Sequence, residues 1–335
     1  MTPLRIGLIG AGKHGSRYAQ HLVEDLPQAR LVAVCCRTQS EGRQVADRYR
    51  CAYYQDFRDV IADAQVDAIV AAVPPTLHRA IVEAACSQGK HLLIEKPFAV
   101  NVAEAERMRD TIAASDVRCM VAHTLRFNAV VQAMRCHILD IAPLHSIYLS
   151  QRFEPSSLAW LDRKAESGGG IVLHTGVHSF DLLHFLTGCT VQHVTCQTTQ
   201  VVTRETEDNF VMTCDFSAPL LKGVVMGSRS TVSRSGLIEL SGAHGQLVGD
   251  HAHGTAVLLK GWQRTELPVG PPIPTVRETL RAFIDGIQTD APFPITVEDG
   301  LRAVAVAEAC YRSARSGQSE RVQLAKRGWG VLLPA

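Results

Sequence analysis

The residues best suited to chemistry lie in one short segment, GGGIVLHTGVHSFD, at positions 168–181. It joins three consecutive glycines to two histidines four residues apart, His174 and His178, and it ends on Asp181. An imidazole titrates near neutral pH, so it can accept or release a proton during a reaction. The same spacing would suit a helical pair of metal ligands. Acid-base use is favoured and no metal is expected, because Gly176 weakens a continuous helix and no glutamate follows His174 as in HExxH.

A second group with chemical potential follows the apolar run HLLIE, where Glu95, Lys96 and Pro97 stand in sequence. The carboxyl ends of strands in a doubly wound sheet face the ligand crevice, so a lysine there would lie beside a ligand bound in that crevice. A lysine amine can titrate near neutral pH when it is desolvated or close to other cations. Lys96 is therefore a candidate for proton transfer.

A glycine-rich turn, GAGKHG, follows the first apolar run and precedes a helix-period stretch. This is the dinucleotide fingerprint: one glycine makes the turn, the second lets backbone approach a pyrophosphate, and the third lets the helix pack on the strand. The strand-turn-helix context makes cofactor binding much the better interpretation. The predicted cofactor-binding residues of this turn are Gly10, Gly12, Lys13, His14 and Gly15.

The end of the second apolar run indicates which nicotinamide cofactor binds. An NAD site has an acidic residue about 20 residues past the glycines to accept from the ribose hydroxyls. Here Cys36 occupies that position, followed by Arg37 and Thr38, with Arg43 further on. No carboxylate would repel a 2′-phosphate and two to three side chains could bind one, which favours NADP, with NAD possible. The alternative is that Arg37 stacks on adenine and Arg43 only faces solvent.

The elements that must position these residues divide the chain in two. Residues 1–124 alternate buried runs of strand length with helix-period stretches, which predicts an α/β domain with a parallel, doubly wound sheet. Residues 125–335 carry alternating strands such as NFVMTCDF, a helix after the triple glycine and two closing helices near 276–290 and 297–316. This half is predicted as an α+β substrate-binding and oligomerisation domain with an open, mostly antiparallel sheet.

Composition excludes several classes of partner. The 335 residues include 34 basic and 33 acidic side chains, so no broad basic field is present to hold nucleic acid or an anionic membrane. Ten scattered cysteines, without the density of a secreted scaffold, are interpreted as reduced thiols of a cytoplasmic protein. No signal peptide and no apolar run long enough to cross a bilayer are evident. The expected ligand is a small molecule.

Several motifs together resemble one family, that of glucose-fructose oxidoreductase, inositol dehydrogenase and MocA (Gfo/Idh/MocA). In chain order they are GAGKHG at 10–15, VPPTLH at 73–78, EKP at 95–97, WLD at 160–162, the segment 168–181, and ITVEDGLRAVAVAEACYRSARSG at 295–317. The resemblance implies an N-terminal Rossmann domain and a C-terminal domain that forms oligomer contacts and one wall of the substrate cleft. It further implies an oxidoreductase that uses a nicotinamide cofactor on a carbon of a sugar, cyclitol or related small molecule.

The resemblance also assigns roles within the motifs. The lysine of EKP is the usual catalytic residue, and the proline after it commonly follows a cis bond. The glycine segment of the family reads GGGxxxDxGxHxxD, with both the first aspartate and the histidine in the catalytic group. Gly176, His178 and Asp181 match that pattern, whereas His174 occupies the position of the aspartate.

These assignments define a proton-transfer pair. Oxidation of a secondary alcohol requires removal of the hydroxyl proton as hydride leaves carbon, and Lys96 and His178 are predicted to carry that proton. His174 lacks the charge of an aspartate, so a simple copy of the polyol dehydrogenase mechanism is in doubt. His174 either binds a substrate hydroxyl or carboxylate, or is a hydrogen-bonded residue beside the pocket without a step of its own.

Further candidates come from the neighbouring motifs. Pro74 and His78 are predicted near the nicotinamide ribose, although a structural role at a helix N-terminus is an equal alternative for His78. Arg126 either faces the cleft or ties the domains together. Trp160 either lines the substrate pocket or packs. Asp181 is included with the substrate-binding residues, but fixing the helix or His178 is the preferred role.

Two other functions remain open. One is a catalytically silent, cofactor-binding regulator on the same scaffold, against which the retention of Lys96 and His178 argues. The other is an enzyme that reduces an imine or an unsaturated ring. A homodimer or homotetramer is expected from the resemblance, because the exposed face of the second sheet often pairs in that family.

Overall fold

The computed structural model describes residues 2–324 and resolves into two compact units. Within that range the first unit comprises residues 2–124 together with Pro274–Leu301, and the second comprises Leu125–Ile273 and the residues from Arg302 onward. The chain leaves the first unit after Thr124 and returns to it at Pro274. The last eleven positions of the predicted second domain, 325–335, lie outside the described residues.

The described residues form the following elements in chain order. The strands are β1 Leu4–Ile9, β2 Ala29–Cys35, β3 Ala52–Tyr54, β4 Ala68–Ala71, β5 His91–Glu95, β6 Cys119–Ala122, β7 Leu144–Arg152, β8 Val191–Thr199, β9 Asn209–Phe216, β10 Lys222–Ser228, β11 Ser235–Gly242, β12 Gly245–Asp250, β13 Thr255–Lys260, β14 Gln263–Glu266 and β15 Glu320–Arg321. The helices are α1 Gly15–Glu24, α2 Gln39–Tyr49, α3 Phe57–Ala62, α4 His78–Ser87, α5 Val102–Ala113, α6 Ala129–Cys136, α7 Lys164–Ser167, α8 Val177–Thr187, α9 Thr275–Thr289 and α10 Val297–Ser316. A five-residue π-helical turn, Val172–Gly176, leads directly into α8.

The first unit contains a parallel sheet in the order β3-β2-β1-β4-β5-β6. Strands β4 and β6 are buried along their whole length, as expected for a sheet covered on both faces by helices. The predicted doubly wound α/β architecture is confirmed. The short edge strand β3 and helix α3, between residues 52 and 62, were not identified from the sequence, because neither is long enough to show a periodic pattern.

Helix α9 belongs to the first unit, although the sequence assigns all residues after 124 to the second domain. It packs against α1 and buries an apolar face centred on Leu280 and Phe283. Gln288 donates to the carbonyl of Gln28 at 3.0 Å, and Arg118 donates to the carbonyl of Gly286. An amphipathic pattern predicts a buried face but does not specify the core that receives it, so this return of the chain was not predictable.

The second unit is built on a mixed sheet in the order β14-β13-β12-β11-β7-β10-β9-β8-β15. Its pairs are antiparallel except that β7 and β10 run parallel. Strand β9 shows the alternation that the sequence indicates, with Phe210, Met212 and Cys214 buried and Thr213 and Asp215 exposed. One face of the sheet is therefore covered, and α8 packs against β7. The predicted open, mostly antiparallel sheet is confirmed.

No helix in residues 2–324 combines the length and apolar character needed to span a bilayer.

Replacement of Phe283 by alanine tests whether α9 is integral to the core of the first unit. Phe283 is fully buried and stacks on Phe293 at a ring separation of 5.7 Å. We expect Phe283→Ala to lower the free energy of unfolding by about 3 to 5 kcal/mol, measured by urea denaturation. The matched control, Asp285→Ala on the exposed side of α9, should change it by less than about 0.5 kcal/mol. A loss below about 1 kcal/mol for Phe283→Ala would show that α9 is peripheral.

Candidate functional site

The glycine turn between β1 and α1 has two glycines that the protein itself requires. Gly10 has φ of +96°, in the left-handed region that favours glycine, and a Cβ there would collide with the carbonyl of Ala72. A Cβ on Gly15 would collide with the carbonyl of Gly10. A Cβ on Gly12, by contrast, would meet no protein atom within 4 Å. The second glycine therefore keeps open a backbone surface that a pyrophosphate would occupy in the fingerprint.

The N-terminus of α1 completes an anion-binding surface. Gly12, Lys13 and His14 are exposed, and the first turn of α1 carries no acidic side chain. Because the N-terminal end of a helix presents unpaired N–H groups and a partial positive charge, it favours the approach of phosphate. These residues fit a dinucleotide.

A buried carboxylate joins this turn to the end of β5. Glu95 is 5 % exposed, and its Oε1 lies 2.6 Å from Nε2 of His14 and accepts from the hydroxyl of Tyr18 at 2.5 Å. Its Oε2 accepts from the backbone N–H of Lys96 at 3.0 Å. Burial alone would raise the pKa of Glu95, but the nearby His14 and Lys96 hold it well below its ordinary value. Glu95 is thus an ionised group that fixes the glycine turn relative to Lys96.

The turn after β5 is organised around His78. The Lys96–Pro97 peptide is cis, as the family resemblance implied, and Lys96 is partly buried. His78, fully buried, places Nδ1 3.1 Å from the carbonyl of Phe98 and Nε2 3.2 Å from that of Val73. Burial lowers the pKa of His78. The ring therefore bridges the loop that contains Pro74 and the loop that follows Lys96, a contact that matches the structural alternative for this residue.

The end of β2 differs from the expectation that no carboxylate is near. Arg37 and Thr38 are exposed at the predicted position. Arg43, however, lies over the ring of Tyr53 at 5.6 Å. A carboxylate also stands beside the position, because Oε2 of Glu41 lies 4.0 Å from Sγ of Cys36. Glu41 lies in the first turn of α2, beyond the strand end at which such a carboxylate usually stands.

In the second unit the glycine segment forms the π-helical turn and the start of α8. The sequence predicts a helix from about Thr175 or Gly176; α8 begins at Val177, and Gly176 continues the helical backbone at φ −55° and ψ −37°. His174 is 5 % exposed, with Nε2 2.9 Å from the carbonyl of Ser167 and its ring edge-on to Trp160 at 5.4 Å. His178 is partly buried in the first turn of α8.

Helix α8 is held by a buried ion pair. Arg126 donates from Nε and Nη2 to the two oxygens of Asp181, at 2.8 and 2.6 Å, and both side chains are less than 10 % exposed. Arg126 also lies over the ring of Phe185 at 4.9 Å. These two predicted substrate-binding residues therefore bind each other. The contact accords with the preferred role of Asp181, which is to fix the helix.

Residues outside the predicted set hold the glycine loop. Oε1 of Glu207 accepts from the N–H groups of Gly170 and Val172, at 3.0 and 3.1 Å, and from the hydroxyl of Tyr311 at 2.7 Å. Arg229 donates to the hydroxyl of Thr175 at 2.9 Å. The sequence offered no signal for Glu207 or Arg229, because each precedes or follows an ordinary strand. Among residues 2–324 no group of three or more histidine, cysteine or acidic side chains could hold a metal ion.

Comparison with known proteins agrees with this geometry in both units. Residues 4–123 match the model of an oxidoreductase family with an NAD-binding Rossmann fold, and residues 141–324 match the C-terminal α/β domain of the same family. Myo-inositol 2-dehydrogenase of Thermotoga maritima is 25% identical over 96% of this chain and 99% of its own. The 1,5-anhydro-D-fructose reductase of Ensifer adhaerens is 28% identical over 79% and 82%.

A solved structure shows the same fold. The structure of a levoglucosan dehydrogenase in complex with NADH and L-sorbose superposes with a TM-score of 0.87 at 20% identity, covering 97% of this chain and 100% of that one. The Rossmann unit, its glycine turn and the matched families define an NAD(P)-dependent oxidoreductase. More narrowly, the chain belongs to the Gfo/Idh/MocA family.

Replacement of Glu95 by glutamine tests the ionised junction. Removing one charge from a buried, paired cluster should lower the free energy of unfolding by about 3 kcal/mol near neutral pH, measured by urea denaturation. A lowered folded-state pKa contributes stability above the unfolded value, and this is lost as pH falls through the folded value. The ordinary pKa being 4.5, the difference between wild type and variant should shrink by roughly 1 kcal/mol between pH 5.5 and pH 4.

The matched control is Glu24→Gln, an exposed carboxylate on α1 that accepts from Gln20. Its effect should stay within about 0.5 kcal/mol at both pH values. A gap for Glu95→Gln that does not change with pH would show that the pKa of Glu95 is the same in the folded and unfolded protein, and a gap that widens as pH falls would show that Glu95 is neutral in the folded protein.

Proposed function

We propose that this protein transfers hydride between a nicotinamide cofactor and a carbon of a sugar, cyclitol or similar polyhydroxylated small molecule. One observation carries the proposal most directly: Glu95, ionised and buried, links the glycine turn to Lys96. A dinucleotide on the turn is thereby kept in a fixed relation to the lysine. The substrate class follows the named activities of the two relatives, an inositol dehydrogenase and an anhydrofructose reductase.

The residues that hold the cofactor are Gly10, Gly12, Lys13, His14 and Gly15 at the turn, Arg37 and Thr38 at the end of β2, and Pro74, His78, Glu95 and Lys96 near the nicotinamide end. When bound, the nicotinamide supplies the hydride acceptor or donor at its C4. His78 acts in this set through the loops it bridges, since both its ring nitrogens face backbone carbonyls. Glu95 likewise acts through His14 and the backbone of Lys96.

Proton transfer is assigned to Nζ of Lys96 and the imidazole of His178. A positive charge on the amine favours the developing alkoxide, and an imidazole can exchange its proton at neutral pH. Asp181 and Arg126 keep His178 in place by anchoring α8 one turn further on.

His174 tunes the site and contacts substrate, together with Trp160. Its Nε2 faces a carbonyl oxygen, so that nitrogen carries hydrogen and is committed to the glycine loop. An aspartate at this position would present a negative charge instead. This difference implies a substrate other than inositol.

We further infer a cytoplasmic homodimer or homotetramer. The outward face of the second sheet carries partly buried apolar side chains, among them Tyr148, Val224 and Met226, which a second copy would cover. Sedimentation of the purified protein as a monomer would contradict the oligomer.

NADP is proposed as the preferred cofactor, with Arg37 as the residue that recognises the 2′-phosphate. We expect the wild type to bind NADPH more tightly than NADH, measured by fluorescence titration. Arg37→Ala should weaken the affinity for NADPH by about tenfold or more and leave the affinity for NADH nearly unchanged. Glu41→Gln should strengthen NADPH, because it removes a negative charge beside Cys36. If the wild type binds NADH more tightly than NADPH, the NADP proposal is wrong and Glu41 is the residue that determines the cofactor preference.

Lys96→Met should lower kcat, measured at saturating cofactor, by about a hundredfold or more. The measurement follows nicotinamide absorbance with sugars, inositols, keto-sugars and cyclic imines, with both cofactors side by side. His178→Asn is the second variant and should also reduce kcat.

Turnover of cyclic imines alone would favour a reductase of C=N bonds. Tight cofactor binding without turnover across the panel would favour the regulator, and His174→Asp would then be the variant with which to seek recovered activity.

A further inference from the structure

We propose that Glu207 is a positioning residue of the reaction, holding the π-helical turn Val172–Gly176 so that His174 and the glycine loop keep their working orientation. The inference rests on the proposed function for its catalytic consequence. Nothing in the matched motifs points to this glutamate, and it lies in a loop ahead of β9.

Glu207 accepts hydrogen bonds from three consecutive N–H groups where the helical segment begins. Its Oε1 accepts from Gly170 and Val172, and its backbone carbonyl accepts from Ile171 at 2.8 Å. The first N–H groups of a helix have no partner within the helix, and the negative charge of a carboxylate there interacts favourably with the positive end of the helix dipole. Glu207 therefore caps the segment from outside.

The cap is itself held from two directions. Tyr311, on α10, donates its hydroxyl to Oε1 of Glu207, and burial raises the pKa of that phenol. The next residue, Asp208, accepts from the N–H groups of Val201, Val202 and Thr203 in the same loop. The position of Glu207 is thus set by the second unit as a whole rather than by a mobile loop.

The far end of the π-helical turn is fixed by Arg229, which also contacts the loop that holds Glu207. The N–H of Arg229 donates to the carbonyl of Asp208 at 2.8 Å, and its guanidinium donates to the hydroxyl of Thr175. The turn is therefore held at Gly170 and Val172 from one side and at Thr175 from the other. Asp181 already fixes α8 beyond it.

A π turn needs such support. Hydrogen bonds from residue i to i+5 widen the helix, and such turns are rare and frequently occur at functional sites. Relaxation of the turn to an ordinary α-helix would rotate its residues about the axis while α8 stays in place. His174 would then lose its bond to Ser167 and move relative to His178.

The experiment compares Glu207→Ala, Glu207→Gln and Tyr311→Phe with the wild type. Two readouts need no substrate: hydrogen exchange of the peptide containing residues 168–176, and the NMR shifts of the Hε1 protons of His174 and His178. A third readout is steady-state kinetics on whichever panel compound turns over. The matched control is Glu205→Ala, an exposed carboxylate of the same loop that accepts from the N–H of Lys164 at the start of α7.

We expect Glu207→Ala to raise exchange in residues 168–176, shift the His174 resonance, and lower kcat by about 30- to 100-fold with KM within about threefold. Glu207→Gln, which keeps one acceptor oxygen, should recover at least about a third of wild-type kcat. Tyr311→Phe should fall between them, and the Glu205 variant should match wild type.

Unchanged exchange and histidine shifts in Glu207→Ala would overturn the proposal, as would an altered turn with undiminished kcat, or a glutamine variant no better than alanine. If Glu207→Ala does not fold, the glutamine and Tyr311 variants decide by the same readouts. A wild type that turns over no compound would count against the proposed function, whereas the exchange and NMR results would still judge the positioning of the turn.

Discussion

The first unit depends on the burial of one carboxylate. Taking an ionised glutamate out of water costs several kcal/mol unless hydrogen bonds and opposite charge compensate. Glu95 obtains that compensation from His14 in the glycine turn, Tyr18 in α1 and the N–H of Lys96. These groups follow β1 and β5 in the chain, and the two strands are not neighbours in the sheet, because β4 lies between them. The compensation therefore joins two separate strand ends and ties the glycine turn to the backbone of Lys96.

The second unit uses the same physical device on its own helical segment. Asp181 is nearly inaccessible to solvent and accepts from two nitrogens of the buried Arg126, Nε and Nη2, which anchor α8 one turn beyond His178. Glu207 satisfies the opposite end, where backbone N–H groups would otherwise lack partners. Histidine at position 174 fits this arrangement because its Nε2 can donate to the carbonyl of Ser167, whereas an ionised aspartate could not donate to that oxygen. The exchange of one residue type in the motif has thus changed the local hydrogen bonding as well as the charge.

Features that are local in sequence could be predicted from it, whereas features that depend on residues far apart in the chain could not. Strand β1, its glycine turn and α1 are local in sequence, so their pattern predicted both structure and role. The sequence offers Arg43 as a further phosphate ligand after Arg37 and Thr38, but in the structure its guanidinium lies over the ring of Tyr53 on β3. The closeness of Glu41 to Cys36 likewise depends on how α2 begins after β2, which the sequence pattern does not specify. The sequence of helix α9 predicts an apolar face, but only the tertiary structure shows that this face packs in the first unit.

By itself the sequence determined the class of fold, the family, and the glycine turn between the first strand and the first helix. Each of these is written in hydrophobic periodicity or in a short motif whose spacing reflects local backbone geometry. Tertiary structure decided the partners: Arg126 with Asp181, His14 with Glu95, and Glu207 with Gly170. The reason is that a buried polar group must be satisfied by whatever lies nearest in space, and residues 37 to 81 positions apart become neighbours only when the sheets and helices have packed.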